Sequence, residues 1–273
     1  MKTTSYLDKL IDNKKQEIQR LIHEAEANPS HYLNKVLSHK YSPSKRFSSA
    51  LKKENLSIIA EIKRKSPSLG NIRSIDNSVE LALKYCQGGA SAISVLTDFQ
   101  GFGGSLFDMN EVSRELKLKY SNISVLRKDF IFHPLQLAEA VFFGADAVLL
   151  IVRVVEKNLS FLIKEAENLG LEVLTEVHNL NELELALEAE ASIIGINHRN
   201  LSTFDIDLSI SRTLKPLIPS HIVTVAESGI HTPEQALQMK ELGFDAILVG
   251  EALVRSQDPL HLIQLMLGAE NES

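Results

Sequence analysis

Cysteine occurs once, at Cys86, in a chain of 273 residues. A lone thiol excludes an internal disulfide framework and any metal site built from several cysteines. Its setting, "ELALKYCQGG", is a helical stretch ending at a glycine pair, so Cys86 is read as a buried thiol and not as a nucleophile. Long apolar runs are missing as well. The opening "MKTTSYLDKLIDNKKQEIQRL" contains none of signal-peptide length, and no stretch approaches the roughly 18 apolar residues of a membrane span. An intracellular, cytoplasmic protein without a membrane partner is therefore expected. There is no basic excess either: 29 Lys and Arg stand against 35 Asp and Glu, for a net charge of -6. A nucleic-acid partner needs a basic face, so none is expected, and an anionic ligand must be drawn in by local charges. His133, His178, His198, His221 and His231 are scattered, with no H-E-x-x-H and no cluster at ligand spacing, so no metal is expected.

What the chain does have is a repeated phrase. "GGASAISVLTD" (Gly88–Asp98) returns as "GADAVLLIV" (Gly144–Val152) and as "GFDAILVGE" (Gly243–Glu251). Each follows an amphipathic segment and reads as a helix end, a glycine at its C-terminus, then a short buried strand. Filling in the others gives eight strands, at 57–64, 92–98, 123–129, 147–152, 172–177, 193–199, 222–228 and 246–251. Helical segments lie between them, for example "TPEQALQMKELG", with Thr232 as N-cap and Pro233 at the first helical position. Strands apolar on both faces that alternate with helices predict a parallel sheet covered by helices. Eight such units in this length favour an α/β fold of the (β/α)₈ TIM-barrel type, spanning residues 51–273. Residues 1–50 stand outside the repeat as an N-terminal helical extension. Tyr6, Leu7, Leu10, Ile11, Ile18, Leu21 and Ile22 fall on one helical face. That face could pack on the barrel flank, form a dimer contact, or cover the barrel mouth.

Charge sits where such strands end. Along β geometry, alternate residues share a face. Glu61 and Lys63 share parity with Ile59, Lys128 with Leu126, Glu176 with Leu174, Asn197 and Arg199 with Gly195, and Glu227 with Val225. At the carboxyl ends of barrel strands such groups point into the mouth, where ligands bind. The alternative is a set of buried ion pairs between strands. Buried pairs seldom add net stability, so this many converging groups favour a reactive site. Ser228 and Gly229 follow the seventh strand, and Gly250 and Glu251 the eighth. Barrels often hold phosphate there through backbone N–H groups, and the backbone of Glu251 rather than its carboxylate is expected to serve. "FQGFGGSL" (Phe99–Leu106) reads as a mobile loop whose Phe102 could stack on an aromatic ligand. His198, on the opposite parity to Asn197 and Arg199, is given a structural role.

Taken together, "AEIKRKSPSLG", "LRKDFI", "LTEVH", "GINHRNL", "VAESGI" and "LVGEAL", in order at successive strands, resemble the indole-3-glycerol-phosphate synthase family over nearly the whole chain. The resemblance implies a small phosphorylated substrate, 1-(2-carboxyphenylamino)-1-deoxyribulose 5-phosphate, closed to an indole with loss of CO₂ and water and without cofactor or metal. It further implies Lys128 as general acid, Glu176 as general base, and Lys63 against the substrate carboxylate. Glu61 and Asn197 would bond substrate hydroxyls, although Glu61 and Lys63 could instead serve the dehydration. Arg199 and Glu227 would orient, Ser66 would join the phosphate loops, and Phe102, Phe130 and Leu149 would line an aromatic pocket. Burial and Lys63 would lower the pKa of Lys128, while Glu227 would oppose them. A monomer is expected, with a weak homodimer as the alternative. Leu69, His198 and Glu251 depart from the family's usual residues. A Schiff-base aldolase using Lys128, a sugar-phosphate isomerase and a barrel retained only for binding are the rival readings.

Overall fold

The computed structural model describes residues 6–66 and 70–269; Leu69 and the side chain of Tyr6 lie outside the described residues. The eight strands form one closed parallel barrel. They are β1 (Ser57–Ile62), β2 (Ala92–Leu96), β3 (Ser124–Lys128), β4 (Ala147–Ile151), β5 (Glu172–Val177), β6 (Ile193–Asn197), β7 (Val223–Glu227) and β8 (Ala246–Val249). Each pairs with the next in sequence, and β8 closes on β1 with Ser57 beside Ala246 and Ala60 beside Val249. Seven of the strands are one or two residues shorter than expected, because the ladders end before the polar residues at the mouth. Thus Lys63 and Arg199 lie just past their ladders, and Ser228 leaves β7 in a left-handed conformation with φ 66°.

Alternation along the strands separates two cores. One set of alternate residues, among them Ile58, Val125, Val148 and Ile247, packs outward against the helices. Ile59, Leu126, Leu149, Leu174, Val225 and Leu248 fill the barrel itself. The outer helix Pro233–Glu241 starts at a capping box. Thr232 accepts from Gln235 N–H while the Gln235 side chain accepts from the Thr232 N–H, and Pro233 opens the helix.

The N-terminal extension reaches both ends of the barrel. Its short helix Arg46–Leu51 inserts Phe47 and Leu51, both fully buried, into the amino-terminal end. Each such side chain contributes about 1.5–3 kcal/mol by leaving water. Glu172, on the inner face of β5, fixes this plug by accepting from the backbone N–H groups of Phe47 (2.6 Å) and Ser48 (3.2 Å). The long helix α1 (Tyr6–Ala27) lies at the other end, where Leu7 and Leu10 join the inner core. Farther along, Ala25 joins the outer core, and α1 touches the helix Pro134–Phe142. The apolar face of α1 thus serves as both flank packing and mouth cover.

Candidate active site

The carboxyl ends of the strands surround a cleft of about 1070 Å³, part of it open to solvent. Glu61, Lys63, Lys128, Glu176, Asn197 and Arg199 all line it, as the parity of their strands requires. Lys128 is the hub. Its Nζ lies 2.8 Å from Glu227 Oε2, 3.6 Å from Glu61 Oε2 and 4.0 Å from Glu176 Oε2. Lys63 Nζ bonds the other oxygen of Glu61 at 2.9 Å. Glu227 is off the cleft wall: it stands fully buried beneath Lys128.

Two glycines make room for these carboxylates. A Cβ on Gly195 would collide with Glu227 Oε1, and one on Gly250 with Glu61 Oε1. Gly250 therefore has a second role, apart from the phosphate handling expected of its loop.

Three carboxylates face two ammonium groups here, and the imbalance decides their protonation. Burial works against the charge on Lys128, but Glu227, Glu61 and Glu176 outweigh it and hold the pKa above the ordinary lysine value. The lowering that Lys63 and burial would favour does not win. Burial likewise opposes ionisation of Glu61, yet Lys63 and Lys128 pull its pKa below the usual carboxylate range. The excess proton falls to Glu227: burial, reinforced by the nearby Glu176 carboxylate and resisted by Lys128, pushes its pKa up to about 7.

At the end of β7, Ser228 and Gly229 both adopt positive φ, 66° and 77°. A non-glycine residue in that region is strained, and such strain gathers at functional turns. His198 holds the turn from behind. Its Nδ1 lies 2.8 Å from the Ser228 carbonyl and its Nε2 2.6 Å from Ser211 Oγ. Burial lowers its pKa, so the neutral ring donates from Nδ1 and accepts the Ser211 hydroxyl at Nε2. Its outward parity thus has a structural use. Ser66, Ser228, Gly229, Gly250 and Glu251 all border the cleft, and Arg255 Nε holds the Glu251 carboxylate at 3.1 Å.

The apolar wall includes Phe102, Phe130 and Leu149, with Phe102 and Phe130 tilted at 42° and their centroids 6.3 Å apart. The glycine-rich loop after β2 contains a short helix that its sequence did not suggest. Phe99–Phe102 form a helical turn, because Asp98 caps it by accepting from Gly101 N–H at 2.7 Å and Gly103 ends it at φ 63°.

Three groups beside the cleft escaped the reading of strand ends. Lys14 of α1, only 2% exposed, lies 3.0 Å from Asp129, 3.4 Å from Asp98 and 2.9 Å from Glu17. Asp129 also accepts from Thr97 at 2.6 Å and Arg127 at 3.1 Å, so its carboxyl, despite burial, falls to about 2 through Lys14 and Arg127. His178, two residues beyond Glu176, lies between that carboxylate and Glu182. Its parity with Glu176 is the signal that could have found it. Lys14 offers no such signal, since it looks like one more charge on a polar helix face.

A closed parallel barrel whose carboxyl mouth gathers ammonium and carboxylate groups around one cleft defines a barrel enzyme built for acid–base chemistry. Residues 7–266 match the family model described as indole-3-glycerol phosphate synthase, and the chain belongs to that family. It is accordingly a decarboxylating carbon–carbon lyase of tryptophan biosynthesis. The indole-3-glycerol phosphate synthase 1 of Streptomyces coelicolor (strain ATCC BAA-471 / A3(2) / M145) is 41% identical over 266 residues, covering 97% of this chain and 96% of that one. The synthase of Dehalococcoides mccartyi (strain CBDB1) is 47% identical over 209 residues, 76% of this chain and 80% of its own. Among solved structures, 3-hexulose-6-phosphate synthase from Salmonella typhimurium superposes with a TM-score of 0.61 at 15% identity, covering 77% of this chain and 96% of that one. Thiamine phosphate pyrophosphorylase from Pyrococcus furiosus gives 0.59 at 20% identity, covering 79% and 95%. At those identities the likeness establishes the fold alone. Among the described residues no helix is long and apolar enough to cross a membrane.

Proposed function

We propose that the cleft takes 1-(2-carboxyphenylamino)-1-deoxyribulose 5-phosphate and converts it to indole-3-glycerol phosphate, CO₂ and water. The observation that carries this reading is one ammonium, Lys128, within 4.0 Å of carboxylates from three other strands. The reaction is redox-neutral and asks only for acids and bases, so the residues suffice without cofactor or metal. The ring carbon attacks the ketone, and the ketone oxygen takes a proton from Lys128. Lys63 holds the aryl carboxylate until it leaves as CO₂, restoring the ring. The new hydroxyl then departs as water, and Glu176 removes the C–H proton that completes the indole. Glu61 and Asn197 hold the sugar hydroxyls, and Glu61 with Lys63 is the second candidate pair for the dehydration. Glu227 positions Lys128, and Arg199 orients the substrate. The strained Ser228–Gly229 turn, with Ser66, Gly250 and the Glu251 backbone, receives the phosphate. Phe102, Phe130 and Leu149 enclose the ring.

An aldolase would need Lys128 as a free amine. The carboxylates around it keep it an ammonium, which favours the acid over the Schiff-base nucleophile. We place the enzyme in the cytoplasm as a monomer acting on a small phosphorylated substrate, with neither nucleic acid nor membrane as partner. The test is a fluorescence assay for the indole product. Wild-type protein forms it, Lys128→Ala abolishes it with the fold intact, and Glu176→Gln lowers kcat by about 10²–10⁴. Near-normal turnover by the lysine variant, or a borohydride-trapped adduct, would overturn the assignment.

A further inference from the structure

His178 lies at the end of β5 with a carboxylate at each ring nitrogen. Glu182 Oε2 is 2.9 Å from Nδ1 and also accepts the His178 backbone N–H at 2.8 Å. Glu182 Oε1 accepts from Asn179 Nδ2 at 2.8 Å. These bonds hold Glu182 ionised, with its pKa below the usual carboxylate range despite burial. An ionised carboxylate only accepts, so Nδ1 carries a proton in either state of the ring, and whenever the ring is neutral Nε2 presents a lone pair. That atom lies 3.3 Å from Glu176 Oε1. Both Nε2 and Glu176 Oε1 are buried and lack an aligned hydrogen-bond partner, as does Glu227 Oε1. Buried polar atoms left this way in a native site call for a functional account.

The chemistry supplies one. Glu176 ends each turnover holding the proton taken from carbon, and it must shed that proton before it can act again. Glu227 already tends to hold one. We propose that His178, oriented by Glu182, is the positioning residue that relays this proton away from Glu176. The O–H bond on Glu176 breaks as an Nε2–H bond forms, giving an imidazolium flanked by two carboxylates. Nε2 is itself buried, so it then gives up that proton to water that refills the cleft beside Glu176 as the product leaves. Overall charge balances: the substrate carboxylate leaves as neutral CO₂, and the one proton consumed per turnover re-enters from solvent through the acids.

The charged surroundings fit the role. Glu176 on the same strand, Glu182 on the following helix and Glu227 on β7 face the ring, and the adjacent Val152–Val155 turn has its Arg153 bonded to Ser202 instead. Burial disfavours the imidazolium, but the bond to Glu182 and the Glu176 and Glu182 charges outweigh it and raise the pKa of His178. Glu176 has two other neighbours that could take the proton, the Glu227 carboxylate and, once it has given up its own proton, Lys128 at 4.0 Å, and these direct transfers are the competing routes.

This relay rests on Glu176 being the base of the proposed reaction. The experiment uses the full-length enzyme and the indole fluorescence assay with His178→Asn, whose amide can keep the Glu182 contact but lacks Nε2, and with Glu182→Gln. For His178→Asn, kcat is expected to fall about 10-fold or more while KM stays within about two-fold. Added imidazole should restore turnover in proportion to its concentration, and the solvent deuterium isotope effect on kcat should rise. For Glu182→Gln, the acidic limb of the pH–kcat profile should move to lower pH. Unchanged kcat in His178→Asn would show that the proton leaves Glu176 directly to Glu227 or Lys128. A loss without imidazole rescue, or a KM rise with a lowered Tm, would reduce His178 to a structural part. Either result overturns the relay, whereas failure of the wild-type enzyme to form indole would instead overturn the reaction on which it rests.

Discussion

Replacing Lys14 by methionine removes the cation that ties α1 to the barrel mouth while keeping most of the side-chain volume. Removing one partner of a buried ion pair costs about 3–5 kcal/mol, because the other charge is left stranded. Lys14 is 2% exposed, so water screens the pair little. Asp129 would not be stranded: it keeps Arg127 at 3.1 Å, Thr97 at 2.6 Å and the Phe130 N–H at 2.8 Å. Asp98 would keep only its cap on Gly101. The low end of the range therefore applies, about 3 kcal/mol at pH 7, or a fall in Tm of about 6–12 °C. The pH dependence has a definite sign. Burial and Asp129 already raise the pKa of Asp98 above the usual value, with Lys14 opposing them. A carboxyl raised in the folded state stabilises below its unfolded pKa and loses that contribution as pH rises through the folded one. Without Lys14 this effect grows, so the variant should lose less stability at pH 5 than at pH 7. Thermal unfolding followed by circular dichroism at both pH values measures it, and Asp98→Asn added to Lys14→Met should recover most of the loss at pH 7. A single variant within about 1 kcal/mol of the parent at pH 7, or a double variant no better than the single, would refute the reasoning.

The pKa of about 7 at Glu227, caused by burial and then by Glu176, gives a stability contribution present below about pH 4.5 and lost as pH rises through about 7. Glu227→Gln should therefore be more stable than the parent at pH 8, by a few kcal/mol at most, and close to it at pH 5. Urea unfolding at the two pH values decides this, and a parent more stable at pH 8 would contradict it. Gly195→Ala should cost about 1–3 kcal/mol by overpacking and lower kcat, since its Cβ would push Glu227 toward Lys128. Unchanged Tm and kcat in that variant would mean that Glu227 can move aside freely.

The barrel was legible because short buried runs recur with helices between them, and a period of two assigns each strand residue a face. The same rule placed Glu61, Lys128, Glu176 and Asn197 together. Parity names a face but not an end of the barrel. Glu172 shares its face with Glu176, yet one receives the backbone of the Arg46–Leu51 plug and the other borders the cleft. Position along the strand separates them. Lys14 was not legible, because its partners Asp98 and Asp129 lie more than eighty residues away and only the packing of α1 brings them together. The helical turn at Phe99–Phe102 was hidden by its glycines, which lower helix propensity while the Asp98 cap and tertiary packing override it.

The Arg46–Leu51 plug has a bearing on how the chain matures. Its anchor, Glu172, is separated from Phe47 by 125 positions, and its Arg46 meets Asp146 across 100. A ribosome delivers the plug long before either anchor exists, so Phe47 and Leu51 must wait uncovered until β5 emerges. Such distant closure is entropically slow, and it makes this small amphipathic piece a natural place for a chaperone to hold the growing polypeptide.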